Sequence, residues 1–199
     1  MRDKLAQYGW FGLFQLFYYF IYTKLFYSGS RLIRLPFDVR GKRFIDFGKS
    51  LTTGIGCRLE AYPINKRDKV LLIGNNVELN DYVHITAMTG VFIGNNVLMA
   101  SKIYISDCTH GFYEGSSKDS SPEQIPNARE FNMAPVHIED NVWIGESVSI
   151  LPGVTIGKGA IIGANSVVTK NIPSDCIAVG VPAKVVKEYN FEKKIWERI

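Results

Sequence analysis

The chain has 199 residues, 46% hydrophobic and 21% charged, enough to bury the core of one sizeable domain, which excludes global disorder. Its three cysteines, Cys57, Cys108 and Cys176, are far apart and lack CxxC spacing, which excludes a disulfide scaffold or a cysteine zinc cluster and suits a reducing, cytoplasmic location. The net charge of +4 is uneven: residues 1–70 carry 13 Lys and Arg against 5 Asp and Glu, and residues 71–199 carry 10 against 14, so the first third is suited to an anionic partner.

From Leu5 to Thr23 there is no charge, and Tyr8 to Tyr27 holds 11 of the chain's 25 aromatic residues. No small-residue cleavage site ends this run, so it does not read as a secretory signal. Its length permits a spanning helix, but Gln7, Gln15, two glycines and many tyrosines suit hydrocarbon poorly. Residues 1–40 therefore read as an aromatic, basic helical segment with two open roles. Followed by Lys24, Arg31, Arg34, Arg40, Lys42 and Arg43, it can make peripheral contact with the inner face of the cytoplasmic membrane; alternatively, its aromatics pack on the rest of the protein or on a partner subunit. Nucleic acid is a poor fit, because no recognition motif accompanies the basic residues.

A period of six dominates the rest. Aliphatic residues recur as Ile138, Ile144, Ile150, Ile156, Ile162 and Val168, with a second small or branched set four residues on, Val142, Val148, Val154, Ala160, Ser166 and Ile172. The phase continues upstream through Ile93, Met99 and Ile105, through Ile73, Leu79 and Ile85, and more weakly through Phe47, Thr53 and Leu59. Neither a helix nor an alternating strand has this period; a short strand followed by a corner does. Gly74-Asn75-Asn76-Val77, repeated as Gly94-Asn95-Asn96-Val97 and echoed by Asp140-Asn141-Val142, supplies residues that tolerate a left-handed corner. Three hexads make an 18-residue turn of a triangular coil of stacked parallel strands, and each inward side chain contributes about 1.5–3 kcal/mol before chain entropy is subtracted. Two steps, Leu59 to Ile73 and Ile85 to Ile93, are two residues too long for whole hexads, and the frame breaks between Ile105 and Ile138. Residues 111–134, rich in Gly, Ser, Pro and Asn, read as a long excursion from a corner. The coil domain spans 41–182. Residues 183–199, with Val185, Val186, Tyr189, Ile195 and Trp196, read as an amphipathic capping helix.

The runs Val142-Trp143-Ile144-Gly145, Ile150-Leu151-Pro152-Gly153-Val154, Ile162 to Lys170 and Gly180-Val181-Pro182-Ala183-Lys184 resemble the hexapeptide-repeat acyltransferases. The resemblance is closest to bacterial lipopolysaccharide O-antigen and capsule O-acetyltransferases. It extends through Arg31-Leu32-Ile33-Arg34, Asn80-Asp81-Tyr82-Val83-His84, Ser106 to Gly111 and Trp196-Glu197-Arg198-Ile199, and is loose over the first 30 residues. It implies an all-β fold, a left-handed parallel β-helix that forms a homotrimer with sites between subunits. It also implies transfer of an acetyl group from acetyl-CoA to a sugar hydroxyl of a surface polysaccharide or its lipid-linked precursor, with no metal. Handedness comes from the resemblance alone, since it opposes the usual right-handed crossover.

Of three histidines, His110 stands where the excursion leaves the coil, and an imidazole suits removal of a hydroxyl proton near neutral pH. The resemblance makes it the general base. By the same likeness Asn80 contacts the acceptor hydroxyl, though it also reads as an ordinary corner asparagine. Asp107 is placed to orient His110. His84 is either acceptor-binding or structural, and His137 reads as a surface histidine. For acetyl-CoA, the resemblance carries Ala164, Thr169, Lys170 and Lys184 onto positions lining the pantetheine arm and the phosphates; Trp143 packs at the subunit groove or serves trimer contact only.

Three rivals remain. Cys108 invites a thiol-nucleophile route, with no evident reason for a reactive thiol. A zinc enzyme of the γ-carbonic anhydrase type needs ligands five residues apart, but Gly115 stands where the second histidine would be. A scaffold without catalysis is the third. Within the enzyme class, an amino sugar or an antibiotic is the alternative acceptor.

Overall fold

The computed structural model describes residues 2–65 and 68–199, with side chains from Leu5 onward; Met1, Lys66 and Arg67 lie outside it. The period of six appears as strands of two to five residues that fall in turn into three parallel sheets. Sheet A stacks Ile45–Asp46, Leu71–Ile73, Val91–Ile93, Val136–Ile138 and Thr155–Ile156. Sheet B stacks Thr52–Thr53, Glu78–Leu79, Leu98–Met99, Trp143–Ile144, Ile161–Ile162 and Cys176–Val179. Sheet C stacks Phe37–Arg40, Cys57–Ala61, His84–Ala87, Tyr104–Ser106, Ser149–Ile150 and Val167–Val168.

The core lies inside this three-sided coil, where each hexad contributes one buried apolar side chain to a column. Ile73, Ile93, Ile138 and Ile156 form the column under sheet A; Leu79, Met99, Ile144 and Ile162 that under sheet B; Leu59, Ile85, Ile105, Ile150 and Val168 that under sheet C.

Corners follow a rule. Between sheets A and B, Ser50, Asn76, Asn96, Asn141 and Gly159 all have positive φ; between B and C, so do Gly56, Tyr82, Lys102, Ser147 and Asn165. Glycine and asparagine suit the first edge, as expected, whereas Tyr82 and Lys102 on the second accept the cost of a left-handed backbone. The Gly-Asn-Asn repeat has a stacking reason. Asn75 N–H donates to Asn95 Oδ1 at 2.8 Å, Asn95 N–H to Asp140 Oδ1 at 2.6 Å, and Asn96 Nδ2 to Asn141 Oδ1 at 3.1 Å. A Cβ on Gly74 would lie 2.5 Å from the Gly94 carbonyl oxygen, so only glycine lets these turns approach.

Two expectations about the ends of the chain change. The N-terminal helix, α1 (Arg2–Phe26), breaks at Gly9 and ends well before residue 40. The coil has begun by Leu32, which bridges Thr52, and by Phe37–Arg40 in sheet C, because the chain turns back onto the coil as soon as Tyr27 has packed edge-on against Phe37 and Phe47. The excursion leaves the coil through a two-stranded antiparallel neck, Cys108–His110 paired with Phe131–Met133, and Ala134 N–H closes it on the Asp107 carbonyl at 2.9 Å.

The second change is at the C-terminus, where the expected capping helix is instead a hairpin. Lys184–Asn190 pairs antiparallel with Cys176–Val179, and Ile195–Arg198 pairs with Lys184–Asn190. The last strand of sheet B would otherwise leave its backbone groups open, and the hairpin satisfies them. Val185, Val186, Tyr189 and Trp196 suit strands as well as a helix, and Tyr189 meets Trp196 across the ladder at 5.1 Å.

Candidate active site

His110 is held by the neck of the excursion. It pairs with Phe131 across the ladder, and its ring lies 4.5 Å from the Phe131 ring. Its carbonyl accepts a 2.5 Å hydrogen bond from the Tyr113 hydroxyl, which in turn accepts one from Arg129 Nη1 at 2.8 Å. Arg129 also donates to the carbonyl of Gln124 at 3.0 Å. The backbone of His110 is therefore pinned from both sides while its ring is exposed, and neither ring nitrogen has a partner among the described residues. This is what a proton acceptor for an incoming molecule needs.

Further out, the Asp119 carboxylate gathers the N–H groups of Glu114, Gly115 and Ser116 at 2.9–3.2 Å, and these bonds hold its carboxyl below the usual range. The excursion thus carries its own internal brace.

Asp107 does not orient His110. Its side chain is fully buried and turned the other way, accepting the N–H groups of Met88, Thr89 and Gly90 at 2.7–2.9 Å and the Thr89 hydroxyl at 3.0 Å. Residues 88–90 are where the step from Ile85 to Ile93 is two residues too long. The extra length bulges at the corner and leaves three N–H groups without ladder partners, and Asp107 satisfies them.

The remaining expected residues fall on two edges of the coil. Asn80 and Ala164 follow the sheet B strands Glu78–Leu79 and Ile161–Ile162, at the border with sheet C. Trp143, half exposed, stands on the outer surface of sheet B between Leu98 and Ile161, and exposed Lys184 pairs with Val179 three strands further along the same sheet. Thr169 and Lys170 follow Val167–Val168 and sit on the opposite border of sheet C, the border from which the neck with His110 departs. Six extended residues, roughly 20 Å, separate the two borders. Within one chain, Asn80 is therefore not brought to His110, and Ala164 is not brought to Lys170. The Asn80 amide donates to the Met99 carbonyl at 2.9 Å, with the residue exposed.

His84 lies between these borders, outward on sheet C between Arg58 and Tyr104, with the Tyr104 ring 5.4 Å away. Its Nε2 meets the Glu60 carboxylate at 2.8 Å and Arg58 Nη2 at 2.9 Å. Glu60 is 6% exposed and also binds Arg40 at 2.7 Å, Thr86 at 3.1 Å and Tyr62 at 3.2 Å. Burial alone would raise its pKa. The hydrogen bonds from His84 and Thr86 and the charge on Arg58 outweigh burial and lower it. Sequence reading missed Glu60 and Arg58. Their signal was present in the alternation of Arg58 and Glu60 against His84 and Thr86, but the frame slip between Leu59 and Ile73 hid the alignment.

Two further groups bear on the rivals. The Cys108 thiol is pushed up by burial, and the Ser106 hydroxyl 3.4 Å away does not reverse that, which is the wrong direction for a nucleophile. The three histidines are on separate elements: His84 on sheet C, His110 on the neck, and His137 on sheet A, stacked on Phe92 at 4.7 Å. Among the described residues no group of three or more His, Cys, Asp or Glu is arranged to hold a metal.

Comparison with known proteins matches residues 135–170 to the bacterial transferase hexapeptide family, six repeats. Over 196 residues, 98% of both chains, the protein is 42% identical to WbbJ of Escherichia coli (strain K12), assigned to lipopolysaccharide biosynthesis as an O-acetyl transferase. It is 39% identical over 122 residues to the galactoside O-acetyltransferase of the same organism, covering 61% of this chain and 56% of that one. Among solved structures, AntD, an N-acyltransferase from Bacillus cereus in complex with dTDP-4-amino-4,6-dideoxyglucose and coenzyme A, superposes with a TM-score of 0.68 at 20% identity, covering 86% of this chain and 91% of that one; at this identity the likeness is one of fold. The hexapeptide-repeat acetyltransferase VCA0836 from Vibrio cholerae gives 0.56 at 25% identity, covering 75% and 77%. With a repeat that closes into this coil, an unpartnered imidazole on its edge and a full-length relative of this similarity, the chain belongs to the hexapeptide-repeat acyltransferases.

Proposed function

We propose that the protein is an O-acetyltransferase that moves an acetyl group from acetyl-CoA to a sugar hydroxyl of a surface polysaccharide or its lipid-linked precursor. It works in the cytoplasm at the inner face of the membrane, as a homotrimer of left-handed coils. The observation that carries this reading is the His110 imidazole, pinned through its backbone, exposed through its ring and placed on the same border as Thr169 and Lys170.

In the reaction, a ring nitrogen of His110 takes the proton of the acceptor hydroxyl as its oxygen attacks the thioester carbonyl carbon. The C–S bond then breaks, the coenzyme A sulfur leaves, and the imidazolium returns the proton to it. No covalent enzyme intermediate is needed, in keeping with the unreactive Cys108. The separation of the two borders supports a site shared between copies. His110, Thr169 and Lys170 of one subunit face the Asn80 and Ala164 border of its neighbour, with Trp143 and Lys184 beside it. Ala164 leaves room for the thin pantetheine arm, and the two lysines offer charge to the phosphates. Asn80 and His84 serve the acceptor, and Glu60 with Arg58 sets the direction of the His84 ring.

The test is thiol release from acetyl-CoA by wild type and His110→Ala with a panel of sugars, glycan fragments and amino sugars. Acceptor-dependent release that falls 10²-fold or more in the variant is expected. Survival of activity in the variant would overturn the mechanism, and release with amines only would move the acceptor to an amino sugar. A protein that fails to bind acetyl-CoA would be a scaffold.

A further inference from the structure

Helix α1 has two apolar faces, and the coil uses one. Tyr19 and Thr23 are buried against the coil, where the Tyr19 hydroxyl donates to the Leu35 carbonyl at 3.0 Å and Thr23 Oγ1 accepts the Ile33 N–H at 2.8 Å. The opposite face carries Trp10, Phe14, Phe17, Ile21 and Leu25, spaced four, three, four and four residues apart, which is one stripe of a helix. Their exposures run from 42% at Ile21 to 79% at Trp10, and Phe11 and Tyr18 widen the stripe. A helix lying on a soluble domain normally turns charge outward; here the outward face is aromatic.

Charge along this segment has one sign. From Lys4 to Phe37 there is no Asp or Glu. Beside the C-terminal end of the helix stand Lys24, Lys42, whose Nζ donates to the Phe26 carbonyl at 3.1 Å and lies 4.0 Å from the Tyr27 ring centre, and Arg43. All three are exposed. The unbroken part of the helix, Trp10 to Phe26, is about 25 Å long, and no described helix is long and apolar enough to cross a membrane. We propose that the Trp10–Leu25 stripe lies in the interfacial layer of an anionic bilayer, parallel to its plane, with Lys24, Lys42 and Arg43 at the headgroups. Aromatic side chains favour that layer, and the basic cluster selects negative lipid.

This proposal extends the lipid-linked acceptor reading, but its readout needs no acyl transfer. Full-length protein is floated with vesicles of phosphatidylethanolamine and phosphatidylglycerol, or of phosphatidylcholine alone, and its mass in solution is measured by light scattering. Wild type is expected to float with the anionic vesicles and to be released by high salt. The Trp10→Ser/Phe14→Ser/Leu25→Ser variant is expected to lose at least tenfold in partition with its mass and thermal midpoint unchanged. A second variant, Lys24→Glu/Lys42→Glu, leaves the stripe intact and is expected to lose severalfold at low salt. No flotation of wild type overturns the proposal, as does flotation that both variants retain. A stripe variant that changes the oligomeric mass also overturns it, by assigning the face to contact between copies of the chain.

Discussion

Asp107 and His110 are three residues apart and belong to different regimes. Asp107 closes the last regular corner before the excursion, fully buried, its carboxylate spent on three backbone N–H groups and the Thr89 hydroxyl. His110, across the start of the neck, is tied through its backbone and packed on Phe131, with no hydrogen-bond partner on its ring nitrogens among the described residues. The coil supplies rigidity through groups that are satisfied within the chain, whereas the neck presents an exposed imidazole whose ring nitrogens have no hydrogen-bond partner among the described residues. The positioning of His110 comes from packing and ladder pairing, with no carboxylate on its ring among the described residues.

The sharpest way to break this comparison is to exchange the two effects. Asp107→Ala orphans the N–H groups of Met88, Thr89 and Gly90 and is expected to cost about 3–5 kcal/mol in urea unfolding. His110→Ala is expected to stay within about 0.5 kcal/mol of wild type while acyl transfer collapses. A stable Asp107→Ala protein with a shifted pH–rate profile would return Asp107 to the proton relay.

Glu60→Gln sharpens the contrast inside sheet C and is expected to cost about 1–3 kcal/mol at neutral pH. Because the pKa of Glu60 is lowered in the folded state from the ordinary 4.5, its ionised form stabilises the protein above that value. The contribution is lost as pH falls through the lowered pKa. Unfolding titrations below about pH 5 should therefore show a steeper acid loss in wild type than in Glu60→Gln, and parallel curves would remove the charged cluster from the stability account. The smallest effect belongs to Cys108→Ala, whose expected rate is within twofold of wild type. A large loss there would reopen the thiol route.

The period of six made the coil legible from Phe47 onward, because each turn repeats a local rule: one apolar residue inward, one tolerant residue at the corner, glycine where turns touch. His110 stood out because a histidine marks the point where the excursion departs, but its expected role as base came from the family resemblance and not from the repeat. The two slips in the frame were visible, but their consequences were not. One created the amide cluster that takes Asp107, and the other lengthened the chain between Arg58 and His84, and between Glu60 and Thr86, and so hid their pairing. Both depend on partners 17–26 residues away, which no local pattern encodes.

The C-terminus shows the same limit. Val185, Val186, Tyr189 and Trp196 fit a helix or a strand, and the open edge of sheet B decided for the strand. By itself the sequence determined the coil, its phase and its inward columns, since a strict repeat leaves the apolar side chains only one common interior. The tertiary structure decided which edge each site residue occupies, what each carboxylate binds, and which face of α1 is left for another surface. Those outcomes depend on how separate turns stack and where unsatisfied backbone groups are left.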